Sequence, residues 1–363
     1  MILTSDIYVP ALRWRQGEYQ ALLRLANSVK DKIVPFITIP EIEFDFEEQR
    51  PKKSVQEHVH PFADRYKKKW GKRPAWVGVH KSIVDKSMDD DRDIFTYVFE
   101  ALRGFEANAI PAIPLDAETA TIRAVAAIAK IDCQGVAVSV RLEDLMQPNP
   151  RGLIETLTSA LDVSISDVDL VIDLGAPNFE PYEAFAHALI AAMRKLGDIV
   201  VFRNFVLIGT AIPETFKNIA KGADEILRHD WMFYLEFTAA LPKNMRRPNF
   251  GDYTIVHPDF TLVDIDMRKL KPAGKLIYTT TSSWSIRKGG AFRDHPEQMY
   301  DHCASIISSG IFKGAGYSSG DDYIAKCAAR QAKPSNQTRW KEVAINHHIT
   351  HVMDDFATFD AAS

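Results

Sequence analysis

The chain has 363 residues, 46% of them hydrophobic and 25% charged, and a formal net charge of −4. This is the composition of a globular protein with ample material for a core, and the length suits one large α/β barrel or two medium domains. A negative total provides no global field to gather nucleic acid, and no stretch approaches the roughly 18 apolar residues that a transmembrane helix needs.

The N-terminal MILTSDIYVP has neither a basic leader nor a long apolar run. Cys133, Cys303 and Cys327 show no metal-type spacing and no disulfide framework, which suits a reducing cytoplasm. The run of Lys67, Lys68, Lys69, Lys72 and Arg73 reads as a solvated helix end.

In chain order, short β-branched or apolar runs fall at Tyr8–Leu12, Ile33–Ile39, Ala75–His80, Ile110–Leu115, Val136–Arg141, Leu170–Leu174 and Phe205–Thr210. Tyr253–His257 and Leu276–Thr281 compete for an eighth place, and the loser becomes an accessory strand. Between the runs lie helical stretches, clearest at Glu118–Lys130, Pro150–Leu161 and Pro181–Leu196. The last opens with proline in its first turn and ends on basic residues before Gly197, as helices prefer. Such alternation argues for βαβ units and a parallel sheet. VDLVIDLG and FVLIGT are nearly continuous hydrophobics, which fits strands covered on both faces. A doubly wound open sheet would usually carry a glycine-rich phosphate turn after an early strand. No GxGxxG or GxxxxGK[ST] occurs, which favours a (β/α)8 TIM-type barrel. From Trp284 onward glycines, serines and aromatics become frequent and the βα rhythm stops. Residues 1–283 are therefore expected to form the barrel and 284–363 a C-terminal extension of the same domain packed on it. The closing FATFDAAS reads as a frayed tail.

Barrel enzymes carry their chemistry at the C-terminal strand ends. Those positions hold Arg13 and Arg15, Glu41 and Glu43, His80 and Lys81, Asp116, Arg141 with Glu143, Asp173, Thr210 with Glu214, and His257 with Asp259. Polarity rises at the end of any strand, so part of this is expected by default. Asp116, before AETA, suits a helix cap as well as a ligand contact. The acidic loop from Glu41 to Glu48 reads as solvated. Asp173 stands apart because it interrupts LVIDLG before the strand is finished. Arg141, closing VAVSVR on the neighbouring strand, is its expected partner, as a rim salt bridge or as a functional pair.

His80, His257 and Asp259 are residue types that hold metals for assisted hydrolysis. NHHITH places His347 and His351 at i,i+4 on one helical face, although a packed histidine is the commoner source of that pattern. The residues specify no metal and no cofactor. Nucleophilic catalysis finds no GxSxG elbow and no cysteine beside a base. GYSSGDDYI reads as a turn into a helix capped by Ser318, Ser319 or Asp321. Arg287 and Lys288, before Gly289 and Gly290, suit close backbone approach to an anion.

Several segments together resemble the beta protein family of phages and bacteria. They are YVPALRWRQGEYQAL followed by IVPFITIPE, the central GDYTIVHPDF, and the closing GYSSGDDYIAKCA with TRWKEVAINHHITHV. The likeness runs from Tyr8 to Val352 and implies one full-length domain with a link to phage or to phage–host conflict. It carries over no activity. Its segments include Arg13, Gly17, Glu18, His257, Trp284, Arg287, Gly320, Asp321, Trp340, His347 and His348, mostly strand ends and the C-terminal extension.

Two functions fit these observations. In one, an enzyme holds a phosphorylated or nucleotide-like anion with Arg13, Arg141 and Arg287, aided by His80, Asp116 and Asp259. Asp173 and His257 then handle protons in phosphodiester hydrolysis. In the other, a non-catalytic module recognises another protein, with aromatics around Trp284 and Phe292 at the interface. Convergence of the rim groups in a closed cleft would favour the enzyme; separate salt bridges would favour the binding module. Nucleic-acid binding ranks last, since no reader motif is present.

Overall fold

The computed structural model describes residues 1–260 and 271–362. Among the described residues the strands are β1 (Val9–Arg13), β2 (Phe36–Ile39), β3 (Phe44–Asp45), β4 (Arg50–Pro51), β5 (Ala75–Val79), β6 (Ala109–Pro114), β7 (Val136–Arg141), β8 (Val168–Asp173), β9 (Asn204–Gly209), β10 (Gly222–Leu227), β11 (Asn249–Asp252), β12 (Ala273–Thr279) and β13 (Ser283–Ala291). Eight of them close a parallel barrel in the order β1–β11–β9–β8–β7–β6–β5–β2. The fold is the TIM-type barrel expected from the βα rhythm.

The chain divides into two units. The barrel unit comprises Met1–Trp14, Val34–Thr210 and His229–Tyr253; the second unit comprises Arg15–Ile33, Ala211–Arg228 and Thr254–Ser363.

Neither sequence candidate closes the barrel. The eighth strand is β11, just upstream of Tyr253–His257, and Thr254 at φ 57° ends any strand there. The strand reads NFGD, a weak β pattern, because its centre must be glycine. A Cβ on Gly251 would lie 2.8 Å from the Val9 carbonyl oxygen and 2.7 Å from Ile208 Cγ1, on the two flanking strands. Close backbone approach thus erased the side-chain signal that marks a strand.

Period-two alternation fills the barrel interior. Val9 and Ala11, Ile110 and Ala112, and Val206 and Ile208 share one buried cluster with Trp76, Ala137 and Val171. Fully burying each Val or Ile contributes about 1.5–3 kcal/mol. At the N-terminal ends of the strands a buried carboxylate, Asp169, replaces one of these apolar groups. It accepts four hydrogen bonds, from Trp76 Nε1 (2.7 Å), Arg203 Nε (2.7 Å), Arg203 Nη2 (2.6 Å) and Asn204 Nδ2 (2.6 Å). Gly135, at φ +70°, makes room beside it, because a Cβ there would sit 2.1 Å from Asp167 O and 2.9 Å from Arg203 Nη1.

In the second unit, β10, β13 and β12 form an antiparallel sheet, so Leu276–Thr281 marks the accessory strand. Leu276 and Tyr278 pack with Met299, Cys303, Ile306, Ile324, Cys327, Trp340 and Val343. The first three of these partners lie on the helix Gln298–Ser308, the next two on Ser319–Ala328, and the last two on Gln337–Ala362. Ser318 caps the middle helix by accepting from Gly320 N and Asp321 N, as GYSSGDDYI suggested. Gly320 permits close helix packing, since a Cβ there would lie 2.4 Å from Val343 O. The C-terminal segment is no frayed tail. The helix continues to Ala362, and its apolar stripe still buries Val352 and Phe356.

Candidate functional site

The alternation that fills the barrel interior continues to the C-terminal strand ends, where it delivers polar groups. Arg13 follows Val9 and Ala11, His80 follows Trp76, Arg141 follows Ala137, Asp173 follows Asp169 and Val171, and Tyr253 follows Gly251. Each meets a defined partner. Arg13 Nη1 lies 3.9 Å from Glu41 Oε1, and the Glu41 side chain is only 1% exposed. The expectation of a solvated acidic loop therefore fails at Glu41, which is drawn inward toward the Arg13 charge.

Arg141 and Asp173 are opposite each other in the β7–β8 register, yet the expected ion pair between them does not form. Arg141 Nη2 donates to Asp116 Oδ2 at 2.8 Å, and its Nε lies 3.5 Å from Asp144 Oδ2. Asp144 sits in the first turn of the helix Leu142–Met146 and also accepts the Arg141 backbone N–H at 2.9 Å, so the guanidinium is held locally. Asp116 is free for this role because Glu118 occupies the N-cap position of the following helix, Thr119–Asp132. Asp173 is instead held by Tyr253, whose Oη donates to Oδ2 at 2.5 Å, and by Gly175 N, which donates to Oδ1 at 2.9 Å. His80 Nδ1 lies 2.8 Å from Ser82 Oγ. The strand-end face thus gathers Arg13, His80, Asp116, Arg141 and Asp173 within the barrel unit.

His257, Asp259 and Arg287 belong to the second unit. His257 Nδ1 accepts from the Asp259 backbone N–H at 3.1 Å, while the Asp259 side chain is exposed and 3.9 Å away. Arg287 is buried on β13. Its Nε donates to Ser305 Oγ at 2.8 Å, and its Nη1 to Ser285 Oγ at 2.9 Å and Ile286 O at 3.1 Å. Burial holds this guanidinium below its ordinary value, with the charge of Glu225 acting in the opposite direction.

A buried polar network in the second unit joins residues that sequence reasoning left apart. His347 Nδ1 lies 2.8 Å from Asp321 Oδ2 and its Nε2 2.9 Å from Thr279 O, so neither nitrogen is open to a substrate. Asp321 also accepts from Tyr278 Oη at 2.8 Å and Ser318 Oγ at 2.5 Å. One turn on, His351 Nε2 stands 3.6 Å from Asp355 Oδ1, and Asp355 Oδ2 accepts from Arg228 Nη1 at 2.6 Å. Burial, then the charges of His347, Arg228, Lys313 and His348, push His351 down to about 2. His347 and His351 do share one helical face, their rings stacked with centroids 5.8 Å apart. Among the described residues, no group of three or more His, Cys, Asp or Glu side chains is arranged to hold a metal. The sequence signal for this network was the pairing of GYSSGDDY with NHHITH, each of which had a bland reading alone.

A family model described as Beta protein matches residues 8–354. The chain belongs to the beta protein family. The match takes in residues of both units, including the strand-end face and the His347–Asp321 network. No curated protein matches. Among solved structures, the chain is similar to diaminopimelate decarboxylase from Helicobacter pylori, complexed with L-lysine. That likeness has 9% identity and a TM-score of 0.38, and covers 68% of this chain and 56% of that one. It is also similar to triosephosphate isomerase from Bartonella henselae, with 10% identity, a TM-score of 0.37, and 70% and 93% of the two chains covered. The chain thus spans little more than half of the decarboxylase. The barrel assignment for this family member rests on its own strand order.

Proposed function

We propose that this beta protein is a non-catalytic, cytoplasmic binding module that recognises another protein in phage–host conflict. The observation that carries the reading is charge pairing at the barrel mouth: Arg13 with Glu41, and Arg141 with both Asp116 and Asp144. A phosphodiester entering there would have to displace carboxylates already in place, so the arginines are poorly prepared to hold an anion through a reaction. The barrel unit also exposes Met146, Leu153 and Val200, at 63%, 44% and 62%. Gln147, Asn149, Leu153 and Thr156 line a groove in this region. Exposed apolar groups on such a surface suit a protein partner.

One observation favours phosphodiester hydrolysis as a second reading: Asp173 is half-buried at a strand end and takes a hydrogen bond from the Tyr253 phenol. Assay of bis(p-nitrophenyl) phosphate with Mg2+ or Mn2+ separates the two. The binding reading expects the wild-type chain to match Asp173→Asn at background. Turnover that disappears in Asp173→Asn would overturn it. A photo-crosslinking residue at Leu153 should capture one discrete protein during infection, while the more exposed Ile131 position does not; no adduct at Leu153 speaks against the groove.

A further inference from the structure

Lys275 on β12 and Lys288 on β13 are direct cross-strand partners, so both side chains stand on one face of the sheet. Both reach the same residue. Lys288 donates to three backbone carbonyls, Phe216 O (2.7 Å), Lys217 O (3.3 Å) and Ile219 O (2.5 Å), which use all its N–H groups. The half-buried Lys275 lies over the Phe216 ring, its Nζ 4.1 Å from the centroid. Among the described residues Lys275 has no hydrogen-bond acceptor, and neither lysine has a carboxylate partner. An amine that is partly out of water, opposite a like charge and without an acceptor, favours its neutral, nucleophilic form. Burial, then the charges of Lys341 and Lys288, hold Lys275 down to about 8. The Phe216 face attracts the ammonium and opposes this only in part.

We propose that Lys275 is a site of reversible carbamylation by carbon dioxide, with the Lys288 ammonium holding the carbamate by its charge. The Nζ lone pair attacks the carbon of CO2, an N–C bond forms, and one C=O electron pair moves onto oxygen. The nitrogen then gives its proton to solvent and an anionic carbamate remains; nothing is oxidised or reduced. Two features of the lysine pair select this modification. Carbon dioxide is small and uncharged, so burial that hinders a bulky acyl donor does not exclude it. The product is an anion, so two cations that repel become opposite charges that attract. Lys288 has no N–H to spare and therefore acts through charge alone. The site lies in the second unit and stands apart from both readings of the barrel mouth.

The full chain is incubated with isotope-labelled bicarbonate and CO2 at pH 7.5 and alkylated with triethyloxonium ion, and peptide mass spectrometry then reads the carbamate at each lysine. At this pH the free-amine fraction of Lys275 exceeds that of an ordinary lysine by about 200-fold. Lys275 should therefore carry about 10-fold more label, or better, than Lys130 on an exposed helix position. Removing CO2 before alkylation should remove the label. Lys288→Gln should lower occupancy at Lys275 about 10-fold, because the carbamate loses its cation and the amine its repelling neighbour. Lys288→Arg keeps the charge and should keep the label. The proposal is overturned if no carbamate is trapped on Lys275, if Lys130 is trapped as fully, or if the label survives removal of CO2. It is equally overturned if a folded Lys288→Gln matches wild type, or if a folded Lys288→Arg loses the label.

Discussion

Replacing Asp169 by alanine probes the base of the barrel. Its side chain is 0% exposed and that of Arg203 is 9% exposed, so the pair is held away from water. Removing the carboxylate leaves a buried guanidinium without its anion, which costs about 3–5 kcal/mol. Trp76 Nε1 and Asn204 Nδ2 also lose an acceptor, but such effects within one network do not add. A net loss of about 4 kcal/mol is therefore expected, a large share of the ~5–15 kcal/mol that stabilises a typical domain. Urea unfolding at pH 7 measures it as a lower midpoint. The double variant Asp169→Leu with Arg203→Met removes both charges together and should recover more than half of the loss. The reasoning fails if Asp169→Ala costs under ~1 kcal/mol, or if the double variant is as unstable as the sum of the two single ones.

At the opposite end of the strands, Arg141→Ala should cost under ~1 kcal/mol in the same assay, because the Arg141 and Asp116 side chains are 48% and 59% exposed and solvent screens the pair. Gly320→Ala should cost about 1–3 kcal/mol and lower the melting temperature, since the new Cβ meets Val343 O and the helices must shift. His351 predicts acid sensitivity. Its folded value, about 2, lies below the unfolded value of about 6.5, so the unfolded chain takes up the proton first as pH falls. The stability contribution is complete above pH 6.5 and declines by about 1.4 kcal/mol per pH unit toward pH 2. Burial raises Asp355, which works in the opposite direction, so the effect is read as wild type minus His351→Gln between pH 7 and 4.5. Identical acid limbs for the two proteins would remove His351 as the cause.

Local repetition made the barrel legible. Seven of its strands announce themselves as apolar runs, and their order follows once each is taken to pair with neighbours through a helical crossover. The closing strand was hidden because Gly251 gives up its side chain to let β1 and β9 approach. The β10–β13–β12 sheet was hidden for another reason: antiparallel pairing between residues near 225 and 285 depends on contacts that no periodicity records.

The same division runs through the candidate site. Alternation along a strand shows that Arg13, Arg141 and Asp173 reach the strand-end face, but it does not show which partner each will take. Neighbouring strands point to Asp173 as the partner of Arg141, and the two are indeed register neighbours. The choice was settled by Asp144, three residues away, which holds both the backbone and the guanidinium of Arg141 within one helical turn. A local partner needs no further ordering of distant chain, and that entropic advantage favours it over a partner on the next strand.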